Sequence, residues 1–517
     1  MRATSIGHAG IVVETRQATI VCDPWFVPAF FASWFVFPRN DQLSAELMAK
    51  IENPDYLYIS HQHGDHLDEA WLANHVAKTT PVLLPAFATR ELERRLSLLG
   101  FSNFIRTVNG EEMELRDGLK VAIHVESAIA DGPGGDSALV VSDGVSRLVN
   151  QNDCRTSDLR ALLAHGPVDM HWLQYSGAIW YPMVYEEPRE ELLQLARAKV
   201  ESQFARAMKY VEAIGAKTVV PSAGPPCFLD DELYGYNMIM GDEVSIFPDQ
   251  TEFIRRLEAS GNEKSVLNIP GTSIELIDGA VKVVHPVSND QVREPFDNKA
   301  VYLQQYKNDW AQWLADYKAT WPHETTDVLA SIRAWWGPLL AMAPALRATI
   351  GGGCVLKADG VSIFIDFARG DVVPYKDQAH KYRFTLPRPL LESVVASKAV
   401  DWSNSLFLSC RFSAWREGEY NEYLYNFFKS LSVERMRRAE QEVVRKNSPE
   451  SDLSDEIELG DYVMQRKCPH RQADLSEFGV IEGDYVVCTL HGWKFGLRNG
   501  KCHNAENRPL RIRKRTS

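Results

Sequence analysis

Two groups of residues in this 517-residue chain have the types and spacing to bind metal. The first is His61-Gln62-His63-Gly64-Asp65-His66, three imidazoles and a carboxylate on one short stretch. Imidazole with carboxylate suits zinc or non-haem iron, and a merely solvated loop would not concentrate ligand types so tightly. The second is Cys468-Pro469-His470 together with Cys488-Thr489-Leu490-His491. Two thiolates and two imidazoles can hold one zinc ion. They can equally hold a [2Fe–2S] cluster, with the cysteines on one iron and the histidines on the other.

The elements that must position these groups are legible around them. Asp55-Tyr56-Leu57-Tyr58-Ile59 reads as a buried strand, and Leu67-Asp68-Glu69-Ala70-Trp71-Leu72 as the start of a helix, so the histidines leave a strand end and enter a helix. Upstream, Ile11–Glu14 and Thr19–Cys22 read as paired strands that lead into Asp23-Pro24-Trp25. Asp23 suits orienting a ligand rather than being one, and His8 reads as a structural or orienting histidine. Ala138–Val141 and Arg147–Asn150 flank the turn Ser142-Asp143-Gly144, and the second strand runs into Asp153. His124 and His171 read as core or pocket histidines. Farther on, a tryptophan-rich helical stretch (310 to 336) precedes strand-like Cys354–Lys357 and Val361–Ile365. Helices follow near 390–397 and 420–431, and a charged segment from Ala439 to Asp455 reads as a linker. The strand Tyr485-Val486-Val487 delivers Cys488.

A formal charge of −13 argues against a general nucleic-acid binder, although the tail from Arg508 to Arg515 is locally basic. No apolar run approaches a membrane span, and the opening residues lack a leader signature, so a cytoplasmic protein is expected. Eight cysteines in such a chain do not suggest a disulfide scaffold.

The histidine stretch resembles the His-x-His-x-Asp-His motif of the metallo-β-lactamase fold. The resemblance implies one metal on His61 and His63, a second on Asp65 and His66, and Asp153 as the metal-bridging aspartate. Hydrolases of that fold use two further histidines, and here the corresponding stretches, 127–136 and 219–226, contain none. The site therefore reads as a poorer-ligated version of a hydrolytic centre, with open positions of the kind dioxygen needs. Gly492-Trp493, Phe495 and Arg498-Asn499-Gly500 around the cysteine–histidine set resemble Rieske ferredoxins and oxygenases. That makes Cys468, His470, Cys488 and His491 the expected ligands of a Rieske [2Fe–2S] cluster.

Together the two modules resemble the hydroxylases that convert the N-acetyl group of a nucleotide sugar to N-glycolyl. Residues carrying this include Val149–Cys154, Tyr175-Ser176-Gly177, Pro182-Met183 and Pro221–Gly224. One branch acts on CMP-N-acetylneuraminate with the modules in the opposite order. The other, actinobacterial, acts on UDP-N-acetylmuramate with the Rieske module C-terminal, as here. The resemblance implies an O2-dependent monooxygenase with mono- or dinuclear non-haem iron. Electrons would come from NAD(P)H through a separate ferredoxin- or cytochrome-type reductase, since no Gly-rich dinucleotide fingerprint is visible. Arg155, Arg206 and Lys209 are candidates for the substrate phosphates. The expected organisation is an αββα metallo-β-lactamase sandwich over 1–285, a mixed α/β accessory region with linker over 286–455, and an all-β Rieske domain over 456–517. Self-association is left open. The rival readings are a hydrolase with a redox-sensing Rieske domain and a flavodiiron-like reductase, for which no flavin module is visible.

Overall fold

The computed structural model describes residues 1–126, 135–277, 279–322, 327–447, 455–470, 472–490, 492–505 and 509–515. One compact unit is made of Met1–Ser127, Gly134–Ile179 and Arg189–Leu314, and a second contains Trp180–Pro188 and Ala315–Ser517.

The first unit begins with β1 (Arg2–Gly7), β2 (Gly10–Glu14), β3 (Thr19–Cys22), β4 (Tyr56–Tyr58), β5 (Val82–Leu84) and β6 (Phe104–Arg106). It continues with β7 (Met113–Arg116), β8 (Leu119–Glu126), β9 (Asp136–Ser142), β10 (Arg147–Asn152), β11 (Met170–Gln174) and β12 (Thr218–Ser222), and closes with β13 (Ser273–Ile277) and β14 (Ala280–Val284). Two sheets result, ordered β14-β13-β1-β2-β3-β4-β5-β6 and β12-β11-β10-β9-β8-β7. The pairings from β3 through β6 and from β10 through β12 are parallel.

Alternation decides the layering. Val13, Ile20 and Tyr58 point inward to meet Val121, Leu139, Leu148 and Trp172 of the other sheet. Their neighbours Val12, Val21 and Leu57 point outward, under helices α1 (Ala45–Glu52), α2 (Glu69–His75) and α3 (Glu91–Leu98). Leu47 and Ile51, Trp71 and Leu72, and Leu92 and Leu96 are the apolar stripes of those helices. On the far side α4 is the short Leu159–Leu163, while α5 (Arg189–Ile214) and α6 (Gln250–Ala259) pack on β11 and β12. Burying each such aliphatic side chain stabilises the fold by about 1.5–3 kcal/mol. The first unit is thus the expected αββα sandwich. The apolar stretch near Phe30 turns through three consecutive left-handed residues, Phe30, Phe31 and Ala32, at φ 52°, 57° and 54°. Phe35 and Phe37 then pack with Leu303 and Tyr306.

In the second unit, β15 (Gly353–Ala358), β16 (Val361–Asp366), β17 (Asp371–Pro374), β18 (Tyr382–Thr385) and β19 (Ser413–Arg416) form a sheet ordered β17-β16-β15-β18-β19. Its core includes Trp336, whose ring meets Trp402 edge-on at 4.9 Å, and Phe428 stacked on Trp402 at 5.7 Å. Of the charged stretch from Ala439 to Asp455, expected as a linker, residues 439–447 instead continue a helix over Val433–Asn447, and residues 448–454 lie outside the described ones. The reason for the helix is an apolar stripe within the charge: Met436, Ala439 and Val443 are buried. Glu440 accepts hydrogen bonds from the backbone N–H groups of Ala345 and Leu346, both at 2.8 Å, and so caps the helix Pro344–Ile350.

The C-terminal strands are β20 (Glu456–Leu459), β21 (Tyr462–Gln465), β22 (Gly479–Glu482), β23 (Tyr485–Cys488), β24 (Trp493–Gly496) and β25 (Ile512–Lys514). They form two small antiparallel sheets, β20-β21-β25 and β22-β23-β24. Among the described residues no helix is long and apolar enough to cross a membrane.

Candidate metal centres

The histidine loop leaves β4 and turns tightly, with the N–H groups of His66 and Leu67 both donating to the His63 carbonyl at 3.0 and 2.8 Å. Asp68 caps α2 through Trp71 N–H at 3.0 Å and also accepts from Phe26 and Val27 N–H at 2.9 and 2.8 Å. The loop is thereby tied to the segment that follows Asp23-Pro24-Trp25.

Asp23 is fully buried and takes three hydrogen bonds: Ser60 N–H at 2.7 Å, Ser60 O–H at 2.6 Å and His66 Nδ1–H at 2.9 Å. The single Ser60 proton goes to Asp23, so Ser60 Oγ must accept the Nδ1–H of His61, 3.0 Å away. One carboxylate thus sets both imidazoles to carry hydrogen on Nδ1, so that Nε2 is the nitrogen each offers to a metal. His61 Nε2 accepts from His63 Nδ1–H at 2.8 Å.

Three groups of side chains converge here: His61, His63 and Asp136; His61, His66 and Asp153; and His8, Asp65 and His66. His66 Nε2 lies 3.5 Å from Asp153 Oδ1 and 3.8 Å from Asp65 Oδ2, and His61 Nε2 lies 4.0 Å from Asp136 Oδ1. His8 Nε2–H donates to Asp65 Oδ2 at 3.0 Å. Asp65 Oδ1, Asp153 Oδ1 and His66 Nε2 are buried without a hydrogen bond. Buried carboxylate oxygens are not left so unless a cation completes them, and this donor set fits divalent iron or zinc.

The electrostatics agree. Burial disfavours charge on His66, but Asp153, Asp65 and Asp23 outweigh it and hold its imidazolium well above the usual range. His61, buried and repelled by His66, is pushed down to about 4. Asp65 falls below the carboxylate range because His66 and His8 overcome its burial. Without metal, one proton on His66 stands in for positive charge.

The structure brings His61, His63, Asp65, His66 and Asp153 together, and adds Asp136. That residue ends the histidine-free stretch 127–136, whose residues 127–134 lie outside the described ones. Asp136 is aimed by its neighbour: Ser137 Oγ donates to the Ser60 carbonyl at 2.6 Å, and the Tyr58 hydroxyl binds Ser137. Asp153 is aimed by Asn152, left-handed at φ 40°, whose side chain accepts Asp153 N–H at 2.6 Å and donates to the Ser137 carbonyl at 3.0 Å. His124 pairs with His165 at 2.8 Å and His171 with Gln151 at 2.8 Å, and neither belongs to these groups. Arg206 is buried and Arg155 and Lys209 are partly buried.

In the second unit Cys468 and Cys488 are fully buried. The first loop closes through Gln472 N–H to the Cys468 carbonyl at 2.9 Å and Cys468 N–H to the Ala473 carbonyl at 2.8 Å. The second closes through Gly492 N–H to the Cys488 carbonyl at 2.7 Å, between paired β23 and β24. Cys488 faces Trp493 in that register, and the His470 ring stacks on Trp493 at 3.9 Å and 9°. His491 lies outside the described residues. No disulfide joins the cysteines. Buried thiols on two neighbouring loops with an imidazole at hand fit a cluster's donor set.

Two family models match: "Rv3818-like, SCP2-like domain" over residues 328–445 and "Rieske [2Fe-2S] domain" over 436–512. A Rieske 2Fe-2S iron–sulfur protein of Mycolicibacterium smegmatis is 41% identical over 526 residues, covering 99% of this chain and 100% of the relative. A cytidine monophosphate-N-acetylneuraminic acid hydroxylase of Danio rerio is 28% identical over 193 residues, 35% of this chain and 30% of that one. Among solved structures, CmlA, a diiron β-hydroxylase from Streptomyces venezuelae, aligns with 18% identity and TM-score 0.35, covering 55% of this chain and 54% of that one.

Proposed function

Given that the chain belongs to the family of the mycobacterial Rieske 2Fe-2S iron–sulfur proteins, we propose that it is a monooxygenase that hydroxylates the N-acetyl group of a nucleotide sugar. The substrate in this reading is UDP-N-acetylmuramate and the product UDP-N-glycolylmuramate, a precursor of peptidoglycan. One observation carries it: a buried His/Asp centre with unsatisfied donors shares a chain with a Rieske domain. A hydrolytic centre has no use for a one-electron carrier. The local likeness to an N-acetyl-sugar hydroxylase supports the substrate class. The C-terminal position of the Rieske domain, as in the muramate branch, supports the choice within it.

Bound iron supplies dioxygen activation and a bound cluster supplies single electrons. The balance is R–CH3 + O2 + 2e⁻ + 2H⁺ → R–CH2OH + H2O, with electrons from NAD(P)H through a separate reductase. In this reading His61, His63 and Asp136 would hold one iron and His66 with Asp65 a second. Asp153, within reach of both His61 and His66, would bridge. Asp23 and Ser60 keep the two Nε2 lone pairs available, and His8 orients Asp65. Cys468, His470, Cys488 and His491 would hold the cluster.

The test is incubation of the reconstituted full chain with reductant, O2 and a panel of nucleotide sugars, read by mass. A gain of one oxygen on UDP-N-acetylmuramate is expected, located on the acetyl methyl. No oxygenated product from any N-acetyl nucleotide sugar, with both centres loaded, would overturn the proposal.

A further inference from the structure

Two buried cations of this protein have carboxylate partners. Lys299 meets Asp249 at 2.8 Å, and Arg435 meets Asp401 at 2.9 Å. Three other cations, buried or partly buried, do not. Lys199 and Arg206 lie on α5, and Arg155 follows Asp153 just beyond β10. Among the described residues none of these side chains has a hydrogen bond or ion pair. Arg206 is 5% exposed, and Lys199 and Arg155 are partly buried.

Helical spacing puts Lys199, Gln203 and Arg206 on one face of α5, whereas Lys209 sits roughly a quarter turn away. Gln203 is 1% exposed, yet neither its Oε1 nor its Nε2 has a hydrogen-bond partner. Its amide lies over Gly177, where an added Cβ would come within 2.3 Å of Nε2. Burial, and then repulsion from Arg155 and Arg206, pushes the Lys199 ammonium down to about 7. The field of Asp153 reaches Arg206, so this cluster adjoins the metal centre. Like charges gathered largely away from water beside an unsatisfied amide destabilise the fold unless a polyanion completes them.

We infer that Arg155, Lys199, Gln203 and Arg206 form an oxyanion subsite that takes the diphosphate of the substrate next to the metal centre. The subsite rests on the reading of the protein as a nucleotide-sugar oxygenase. Two guanidinium forks and a compact ammonium suit phosphoryl oxygens, and the Gln203 amide adds a neutral donor. Holding the diphosphate there leaves the sugar and its acyl group free to extend toward His61 and His66.

The experiment is calorimetric titration and thermal melting of the full chain with inorganic pyrophosphate, UDP, uridine and acetate. Pyrophosphate and UDP are expected to bind and raise Tm, and uridine and acetate to do neither. Lys199→Met should weaken pyrophosphate binding at least 10-fold while melting higher than the wild type without ligand, because an uncompensated charge has gone. Gln203→Leu should weaken it without that gain, and Arg255→Ala, on α6, should bind as the wild type does. Unchanged pyrophosphate affinity in both Lys199→Met and Arg206→Met would overturn the subsite. So would a Lys199→Met protein that melts lower by the same amount with and without pyrophosphate. Acetate binding as tightly as pyrophosphate would assign the pocket to a carboxylate and overturn the diphosphate assignment. These titrations need neither iron nor O2. Intact pyrophosphate binding in a protein that hydroxylates nothing defeats the oxygenase reading alone. Unchanged turnover and KM in Lys199→Met defeats the subsite alone.

Discussion

Replacing Asp23 by asparagine tests the proton arrangement at the histidine centre with almost no change of shape. Asn Oδ1 can keep the Ser60 N–H bond, now 2.7 Å, but its Nδ2 must face Ser60 Oγ and His66 Nδ1, where a carboxylate oxygen accepted at 2.6 and 2.9 Å. Both contacts invert. His66 Nδ1 becomes an acceptor and its proton moves to Nε2. Ser60, now accepting from the amide, turns its own proton to His61 Nδ1, and His61 protonates at Nε2 as well. Nε2 becomes the protonated nitrogen of each neutral ring, and freeing it for metal requires breaking the new bonds. Losing such an orienting partner costs 10–100-fold in metal affinity, about 1.4–2.7 kcal/mol. The assay is Co(II) binding by chelator competition at pH 7, with the Rieske absorption as an internal reference for folding. Nitrogen-15 spectra of the metal-free protein should report neutral His61 as the Nδ1–H tautomer in the wild type and as Nε2–H in the variant. Affinity within threefold of wild type, or unchanged tautomers, would refute the reasoning.

Three other outcomes are expected. Co(II) must displace the His66 proton that three aspartates hold above the usual range, so binding should release protons and tighten as pH rises toward that raised value; calorimetry in buffers of different ionisation enthalpy reads this directly. His61, His124 and His171 are pushed down to about 4, about 4 and about 3, mainly by burial. Between pH 6.5 and about 4 the unfolded chain takes up protons that these groups refuse, so the metal-free protein should lose stability as pH falls through that window; a flat urea midpoint from pH 7 to 5 would contradict it. At Gly500, with φ +66°, an added Cβ would lie 1.9 Å from the Leu510 carbonyl oxygen, so Gly500→Ala should lose the Rieske spectrum while Co(II) binding at the N-terminal centre persists.

The strand–loop–helix around His61 was legible because β-branched and aromatic residues, a cap and a ligand motif all lie within about twenty positions. The cysteine–histidine loops were legible for the same reason. Asp136 was not, because an aspartate at the end of a Gly- and Pro-rich stretch is an ordinary turn residue. The bonds from Ser137 to Ser60 and Tyr58 help turn it inward. Lys199 was missed and Lys209 named instead because α5 carries charges along its whole length. The buried face of such a helix becomes visible only once β11 and the loop at Gly177 are in place. The accessory sheet read as mixed α/β and nothing more, since its aromatics pack on one another and carry no ligand pattern.

The helix Val433–Asn447 belongs to both family matches, which overlap over residues 436–445. Its Glu440 finishes the helix Pro344–Ile350, and Met436 and Val443 are fully or nearly fully buried. A fragment cut at the start of the Rieske match would therefore carry away half of a neighbour's wall and expose apolar surface on both pieces. A cut placed after Asn447, rather than before Met436, keeps that wall whole. A graft of the electron-carrying module onto another protein should start there, with the whole helix left behind.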